Sequence, residues 1–461
     1  MSNDIFQGYK GSALETLKKF NVRVWGQAKV ETTRGFFNGT ILPRAENDDD
    51  QHIVMKIPTG YNVGIDISTI IKMEEIGYKK AVYKIPEKEF PFTPNLPKVK
   101  LFGTGGTIAS RLDYRTGAVI PAFSPGELYG AVPELAEICN LTTEKVFAVF
   151  SENMGPEQYK KLAIAIGKEI ENGIDGIVIG HGTDTLHHTG AALTFMVQDP
   201  PVPIVLVGSQ RSSDRPSSDA ALNLMHAMKA AGHSDIAEVM VCMFGPTSDE
   251  YGLLHKGTRV RKMHSSYRST FRTIGDVPIA MVNKKEIIPI KKDYKHRRKD
   301  KNVKILPYFE EKVTMLYYYP GIQPDIVDAL VDLGYKGIVI VGTGLGHVNK
   351  PLYPAIKRAT EKGVAIYMTL QTIWGYVNMF VYDTGRDLMA LGVVPAGNML
   401  PEVAFIKLGW ALGQTNDLHK VKELMLTPIN DEITLREPYN GYLVYQGGIP
   451  EVEEFIQKVH K

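Results

Sequence analysis

GIVIGHGTDTLHHTGAALTFMVQDPPVPIVLVGSQ, residues 176–210, holds two unbroken apolar runs, GIVIG (Gly176–Gly180) and PIVLVG (Pro203–Gly208). Each ends in glycine and is followed by a polar turn. Runs of four to six apolar residues suit strands buried on both faces, as in a parallel sheet. The same design stands upstream in VKLF (Val99–Phe102), which also runs into glycines. Amphipathic stretches lie between such runs, at Glu157–Gly173 and Ser218–Gly232. Strands alternating with helices predict an α/β fold with a doubly wound parallel sheet, whose ligands bind beyond the carboxyl ends of the strands. TMLYYYPG (Thr314–Gly321), GIVIVGTG (Gly337–Gly344) and GVAIYMT (Gly363–Thr369) restart the alternation and predict a second, smaller α/β lobe.

Outward from this core the pattern changes twice. Residues 1–85 carry short alternating segments, VRVW (Val22–Trp25), Phe36–Pro43, HIVMKIP (His52–Pro58) and YNVGIDI (Tyr61–Ile67), separated by Gly and Asn/Asp clusters. Period-two alternation at that spacing predicts a small antiparallel β module, barrel-like, with no catalytic constellation of its own. Residues 86–97 contain Pro86, Pro91, Pro94 and Pro97, so a semi-rigid linker is expected before a large α/β domain over 98–290. Residues 291–304, KKDYKHRRKDKNVK, hold eight Lys/Arg against two Asp. A solvated connector over 291–312 is the favoured reading there, with an RNA contact as the alternative, before the smaller lobe at 313–461.

Composition narrows the function. The 461 residues are 44% hydrophobic and 23% charged, an ordinary globular balance. With 53 Lys/Arg against 51 Asp/Glu, the net charge of +2 argues against a protein that chiefly coats nucleic acid or an acidic membrane. Two cysteines, Cys139 and Cys242, cannot build a disulfide framework and suit a reducing compartment. No signal pattern and no run of 18 apolar residues is present, so a cytoplasmic protein without a membrane role is expected.

Glycine-rich motifs test for nucleotides and fail. In GTGGTIAS (Gly103–Ser110) Ile108 stands where a dinucleotide fingerprint needs a small residue, and in GTGLGHV (Gly342–Val348) His347 does. The sole Gly-Lys pair, Gly167–Lys168, is followed by Glu169, so no phosphate loop exists. What GTGGT offers is a hydroxyl, Thr107, among glycines at a strand end, where backbone N–H groups can approach a ligand. HGTDTLHH (His181–His188) puts Thr183 and Asp184 at the next strand end; a helix cap is the plain alternative. Its three histidines lack acidic or thiolate partners at ligand spacing, so no metal is expected. Lys262, in GTRVRKMHSS (Gly257–Ser266), matters to chemistry only if it is buried beside the threonines.

Together, TGGTI (Thr104–Ile108), HGTDT (His181–Thr185) and Lys262, in that order, resemble the L-asparaginase/glutaminase family. SENM (Ser151–Met154), VGSQR (Val207–Arg211), SSDAALNL (from Ser217) and GTGLGHVN (Gly342–Asn349) extend the resemblance from about residue 98 to the C-terminus. It implies Thr107 and Thr183 as the catalytic threonines, with Asp184 and Lys262 as a supporting relay. It also implies Ser151 and Glu152 as holders of the substrate's α-amino and α-carboxylate groups, and Tyr114 as a tyrosine closing over the site. With its N-terminal module and linker, the whole arrangement is similar to the GatD family of archaeal-type glutamyl-tRNA(Gln) amidotransferase subunits. That similarity implies a glutaminase subunit with no cofactor in this chain. A GatE-like partner subunit would use ATP and Mg and carry most of the tRNA contact. The implied assembly is a homodimer core within a dimer of heterodimers. A stand-alone cytosolic L-asparaginase is the alternative.

Overall fold

A computed structural model describes residues 5–44, 48–59, 61–78, 91–105, 110–112, 119–121, 132–211, 217–439 and 441–442. The N-terminal part has one helix, α1 (Gly11–Lys19), and five strands: β1 (Gly26–Thr32), β2 (Gly35–Ile41), β3 (His52–Lys56), β4 (Asn62–Asp66) and β5 (Ile70–Tyr78). All pair antiparallel in the order β4-β3-β2-β1-β5. Alternation does its work in β1, where Ala28 and Val30 turn inward onto Leu17 of α1 and onto Ile41, Ile53 and Met55. VRVW, expected as a strand, is instead the turn that reverses the chain after α1. Asn21 and Trp25 take positive φ (53° and 70°), and the Val22 N–H donates to Leu17 O at 3.0 Å. Its apolar residues are buried all the same, which is why the segment has the composition of a strand. β5 escapes a reading by pattern because two register shifts against β1 break its period-two alternation.

The large sheet starts with five parallel strands: β6 (Lys98–Gly103), β7 (Asn140–Lys145), β8 (Gly176–Gly180), β9 (Ile204–Val207) and β10 (Val239–Phe244). Helix α2 (Pro156–Glu171) follows β7, α3 (Leu186–Met196) follows β8 and α4 (Ala220–His233) follows β9. Alternate strand residues serve opposite faces. Ile177, Ile179 and Leu206 join Leu162 of α2 and Leu193 of α3 in one core, while Val178, Val205 and Val207 join Leu224 and Ala227 of α4 in another. The sheet is thus wound on both sides, as its continuous apolar runs require. Beyond β10 it turns antiparallel through β11 (Gly252–Lys256), an addition that the strand–helix alternation did not predict. Next come a separate hairpin, β12 (Val260–Lys262) with β13 (Phe271–Thr273), and two further edge strands, β14 (Ala280–Val282) and β15 (Ile287–Pro289).

The smaller lobe is a parallel sheet of β16 (Val313–Tyr317), β17 (Gly337–Gly342), β18 (Ala365–Leu370) and β19 (Val394–Pro395). Its helices are α5 (Asp325–Asp332), α6 (Tyr353–Glu361), α7 (Asp383–Ala390), α8 (Pro401–Gln414) and α9 (Leu418–Leu426). Helix α8 joins the lobes. Trp410 stacks on Phe195 of α3 at 5.9 Å, and Val403 and Leu408 share one core with Ile179 and Val339.

The basic segment at 291–304 is a strap fastened to the large domain. Arg297 donates to the carbonyls of Ala231 (2.9 Å) and Ser234 (3.0 Å), at the end of α4, and to Asp175 O. Lys301 donates to Glu171 O (2.7 Å) at the end of α2, and Lys295 pairs with Asp199 (2.7 Å). Arg297 and Lys301 here complete unsatisfied carbonyls of helix C-termini, so a charge run that is mostly exposed is also fastened to the fold.

Lys407 of α8 is fully buried and donates to Met425 O (3.0 Å), Thr427 O (2.7 Å) and Glu432 Oε1 (2.5 Å). Glu432, also fully buried, accepts from the N–H groups of Ile429 and Asn430. Removing one member of such a pair strands the other charge. We expect Lys407→Met to lose about 3–5 kcal/mol, seen as a large fall in the calorimetric melting temperature; an unchanged melting temperature would contradict the pair's structural role.

Candidate active site

The site sits at the carboxyl ends of β6 and β8. Thr104 ties these ends together: its hydroxyl donates to Gly180 O at 2.8 Å, and its own carbonyl accepts from Val149 N–H at 3.0 Å. The second bond leads the chain into a short 3₁₀ turn at Ser151–Asn153. That turn hangs from the next loop, because Thr185 donates from its hydroxyl to Ser151 O at 2.5 Å. Ser151 is buried and Glu152 exposed.

Thr183 and Asp184 lie between β8 and the first turn of α3. Thr183 is buried, and its hydroxyl accepts from Lys262 Nζ at 2.9 Å. The same ammonium pairs with Asp184 Oδ1 at 2.7 Å. The Lys262 side chain is 11% exposed and that of Asp184 69%, so the lysine is enclosed while the carboxylate faces solvent. Asp184 and Lys262 thus meet across 78 residues of chain, and the ammonium lies between Asp184 and Thr183. Thr107 and Tyr114 lie outside the described residues.

His181 explains why the loop is rigid. Its Nδ1 faces Gly182 O at 2.6 Å and must donate, which leaves Nε2 to accept from the Thr189 hydroxyl at 2.8 Å. Burial pushes its pKa down to about 4, with the Gly182 bond opposing. His188 is also lowered to about 4 and His187 well below the ordinary value, in both cases by burial first. These rings are neutral packing groups. Among the described residues, no cluster of three or more His, Cys, Asp or Glu is arranged to hold a metal ion.

Two further residues shape the site; they lie in the VGSQR and SSDAALNL segments of the resemblance, which gave neither of them a role. A Cβ placed on Gly208 would lie 2.9 Å from both Thr183 Cγ2 and His181 O, so only glycine lets β9 end directly behind Thr183. Asp219, fully buried, accepts from Ser209 Oγ (2.9 Å), Gln210 N–H (3.0 Å), Arg211 N–H (2.9 Å) and Asn223 Nδ2 (2.9 Å), fixing the loop that follows Gly208. Asp219 itself stands just before α4, as its N-cap residue, with no side-chain cap bond to the backbone of that helix.

Chemically, a threonine hydroxyl is protonated at neutral pH and must lose its proton to attack a carbonyl. An ammonium can take that proton only after giving up its own. The one ammonium joins Thr183 to Asp184, a geometry through which a proton can be relayed as a coupled unit.

The comparisons with known proteins agree with this geometry. Residues 98–294 match the model for the N-terminal asparaginase domain, 312–425 the glutaminase/asparaginase C-terminal domain and 24–76 the GatD N-terminal domain. The D subunit of glutamyl-tRNA(Gln) amidotransferase from Pyrococcus horikoshii is 46% identical over 434 residues, 93% of this chain and 99% of the relative. The chain belongs to the GatD family. The Thermococcus kodakarensis member is 50% identical over 407 residues, 88% of this chain and 92% of its own. Among solved structures, the thermostable L-asparaginase from Thermococcus kodakarensis superposes with a TM-score of 0.65 at 32% identity, covering 73% of this chain and 99% of that one. L-asparaginase I from Vibrio cholerae gives 0.65 at 27%, covering 74% and 100%. The asparaginase-like α/β fold expected from the strand-end motifs is thus established.

The packing of the site sets the outcome of two measurements. Gly208→Ala should push Thr183 off Lys262 and lower amide turnover by about tenfold to a hundredfold, since a displacement of about 1 Å has that effect; unchanged steady-state kinetics would contradict it. Burial also holds His226 at about 4 and His255 at about 3. With His181 and His188, these groups bind protons in the unfolded chain below about pH 6.5 but not in the folded one until about 4, so stability must drop across that window as pH falls. The melting temperature should begin to decline near pH 6.5; a flat profile down to pH 5 would contradict this.

Proposed function

We propose that this chain is the glutamine-hydrolysing subunit of a glutamyl-tRNA(Gln) amidotransferase. The observation that carries the reading is the Lys262 ammonium, enclosed between Thr183 and Asp184, in a chain whose relatives in that amidotransferase match it over nearly its whole length. A threonine hydroxyl adds to the side-chain carboxamide carbon and loses its proton to the coupled unit. The unit returns that proton to the amide nitrogen as the C–N bond breaks, and nitrogen leaves as ammonia. Water then cleaves the threonine ester, giving glutamate and restoring the hydroxyl. Thr107 and Thr183 share the two threonine roles, Ser151 and Glu152 hold the amino-acid end, and Tyr114 closes the site.

Ammonia passes to a GatE-like partner, which binds the mischarged tRNA and activates its glutamyl carboxylate with ATP and Mg. This chain itself needs no cofactor. The protein works in the cytoplasm as a homodimer core inside a dimer of heterodimers. Among the described residues, no helix is long and apolar enough to cross a membrane.

The second reading, a stand-alone L-asparaginase, is favoured by the fold of the solved neighbours. Against it, those structures span about three quarters of this chain, whereas the GatD N-terminal domain match lies at residues 24–76. Ammonia release from glutamine should rise when the GatE-like partner and charged tRNA are added; equal release in all mixtures, or preferential turnover of asparagine by the isolated chain, favours the second reading. Thr107→Val and Lys262→Ala should each lower release by about a thousandfold while leaving complex formation intact. Surviving turnover in either would overturn the residue assignment.

A further inference from the structure

Behind Lys262 lies a polar cluster, buried except for the partly exposed Arg261, that the reaction as described does not use. Arg261, its neighbour on β12, reaches Glu402 in the first turn of α8, with Nη1 3.6 Å from Oε2. Glu402 is 4% exposed, and its other oxygen has no hydrogen-bond partner among the described residues. Burial raises its carboxyl above the ordinary range, with Arg261 opposing. His187 and His188 bring two more buried nitrogens, both Nδ1, that also lack partners among those residues. Three unpartnered polar atoms in one buried neighbourhood are costly, and an apolar residue at 402 would avoid one of them.

We propose that Glu402 is a positioning residue for amide cleavage, holding through Arg261 the short strand from which Lys262 reaches Thr183. The inference rests on the amidohydrolase reading above. Adjacent residues of a strand project to opposite sides, so an anchor on Arg261 fixes the direction of Lys262. β12 is three residues long and pairs only with β13 among the described strands, so backbone pairing alone fixes it weakly. The α3 side supplies no counter-charge, because His187 and His188 are neutral and Asp184 already holds Lys262. Glu402, arriving from the smaller lobe, is the anion that balances Arg261. It makes the aim of the reactive lysine depend on how the two lobes are docked.

The test uses the full chain in complex with its partner subunit. Glu402→Ala, Glu402→Asp, Arg261→Met and the Glu402→Ala/Arg261→Met double variant are compared for kcat and KM with glutamine. The rate at which a lysine-reactive ester acylates Lys262 is read by peptide mass spectrometry. Glu402→Ala should lower kcat about tenfold with KM within about twofold, and Lys262 should be acylated several times faster once released. Glu402→Asp should recover part of kcat, Arg261→Met should reproduce the loss, and the double variant should fall no further than either single one. Losses that multiply, or a lowered melting temperature with kcat and acylation unchanged, would overturn the proposal. If Glu402→Ala does not fold, Arg261→Met decides by the same readouts. If the unmodified protein hydrolyses no amide, the functional reading fails and the acylation rates still decide the positioning role: faster labelling upholds it, unchanged labelling overturns it.

Discussion

Lys262 can reach Thr183 only because the turn that carries it is pinned from below. At the end of β11 and in the turn to β12 the chain presents two buried cations. Lys256 pairs with Glu238 (3.1 Å) and Asp431 (2.8 Å), while Arg259 donates to Asp431 O (2.6 Å) and Asn398 O (2.9 Å). Both bind the segment at 429–434, which returns from the smaller lobe. On the other side, Gly257 packs against Gly190 of α3 so closely that a Cβ on Gly257 would lie 2.7 Å from the Gly190 carbonyl oxygen. The helix that follows Thr183 and the turn that leads to Lys262 are thus held at backbone contact. Two parts of the chain meet at the Lys262 ammonium because charge and close packing leave the hairpin little freedom.

This arrangement distributes the work between the lobes. The large domain supplies Thr183, Asp184 and Lys262 from strand ends, where an open α/β sheet leaves backbone groups free to face a ligand. Among the described residues the smaller lobe supplies no side chain to that proton unit, yet its C-terminal segment and α8 decide where the hairpin lies. Its buried pair, Lys407 with Glu432, orders the same segment that Lys256 and Arg259 grip. The position of the hairpin that carries Lys262 is therefore tied to both lobes.

How much of this was legible in the sequence follows from the range of each interaction. The parallel strands were visible because burial on both faces demands continuous apolar runs, and GIVIG, PIVLVG and GIVIVG end within one or two residues of their observed strands. Thr183, Asp184 and Lys262 were singled out by motif, and the structure places them together; Ser151 sits beside them through Thr185. VRVW misled because a buried turn and a short strand share one composition. The antiparallel strands after β10 were missed because they are three to five residues long and carry no helix between them. Arg259 and Glu402 act through neighbours distant in the chain, so no local pattern marks them, whereas Gly208 and Asp219 lie in segments that the family resemblance already covered without giving them a role. The basic run at 291–304 is mostly exposed, as a solvated connector should be, but its contacts with carbonyls at helix ends far away in sequence carry no local pattern.

The central claim is that Lys262 activates a threonine in this cleft. A glutamine analogue with an electrophilic centre at its δ-carbon, the position of the carboxamide carbon, incubated with the complex and traced by peptide mass spectrometry, tests it most directly. The adduct should lie on Thr107 or Thr183 and should not form in Lys262→Ala. An adduct on any other residue, or one that forms as fast without Lys262, would contradict the account.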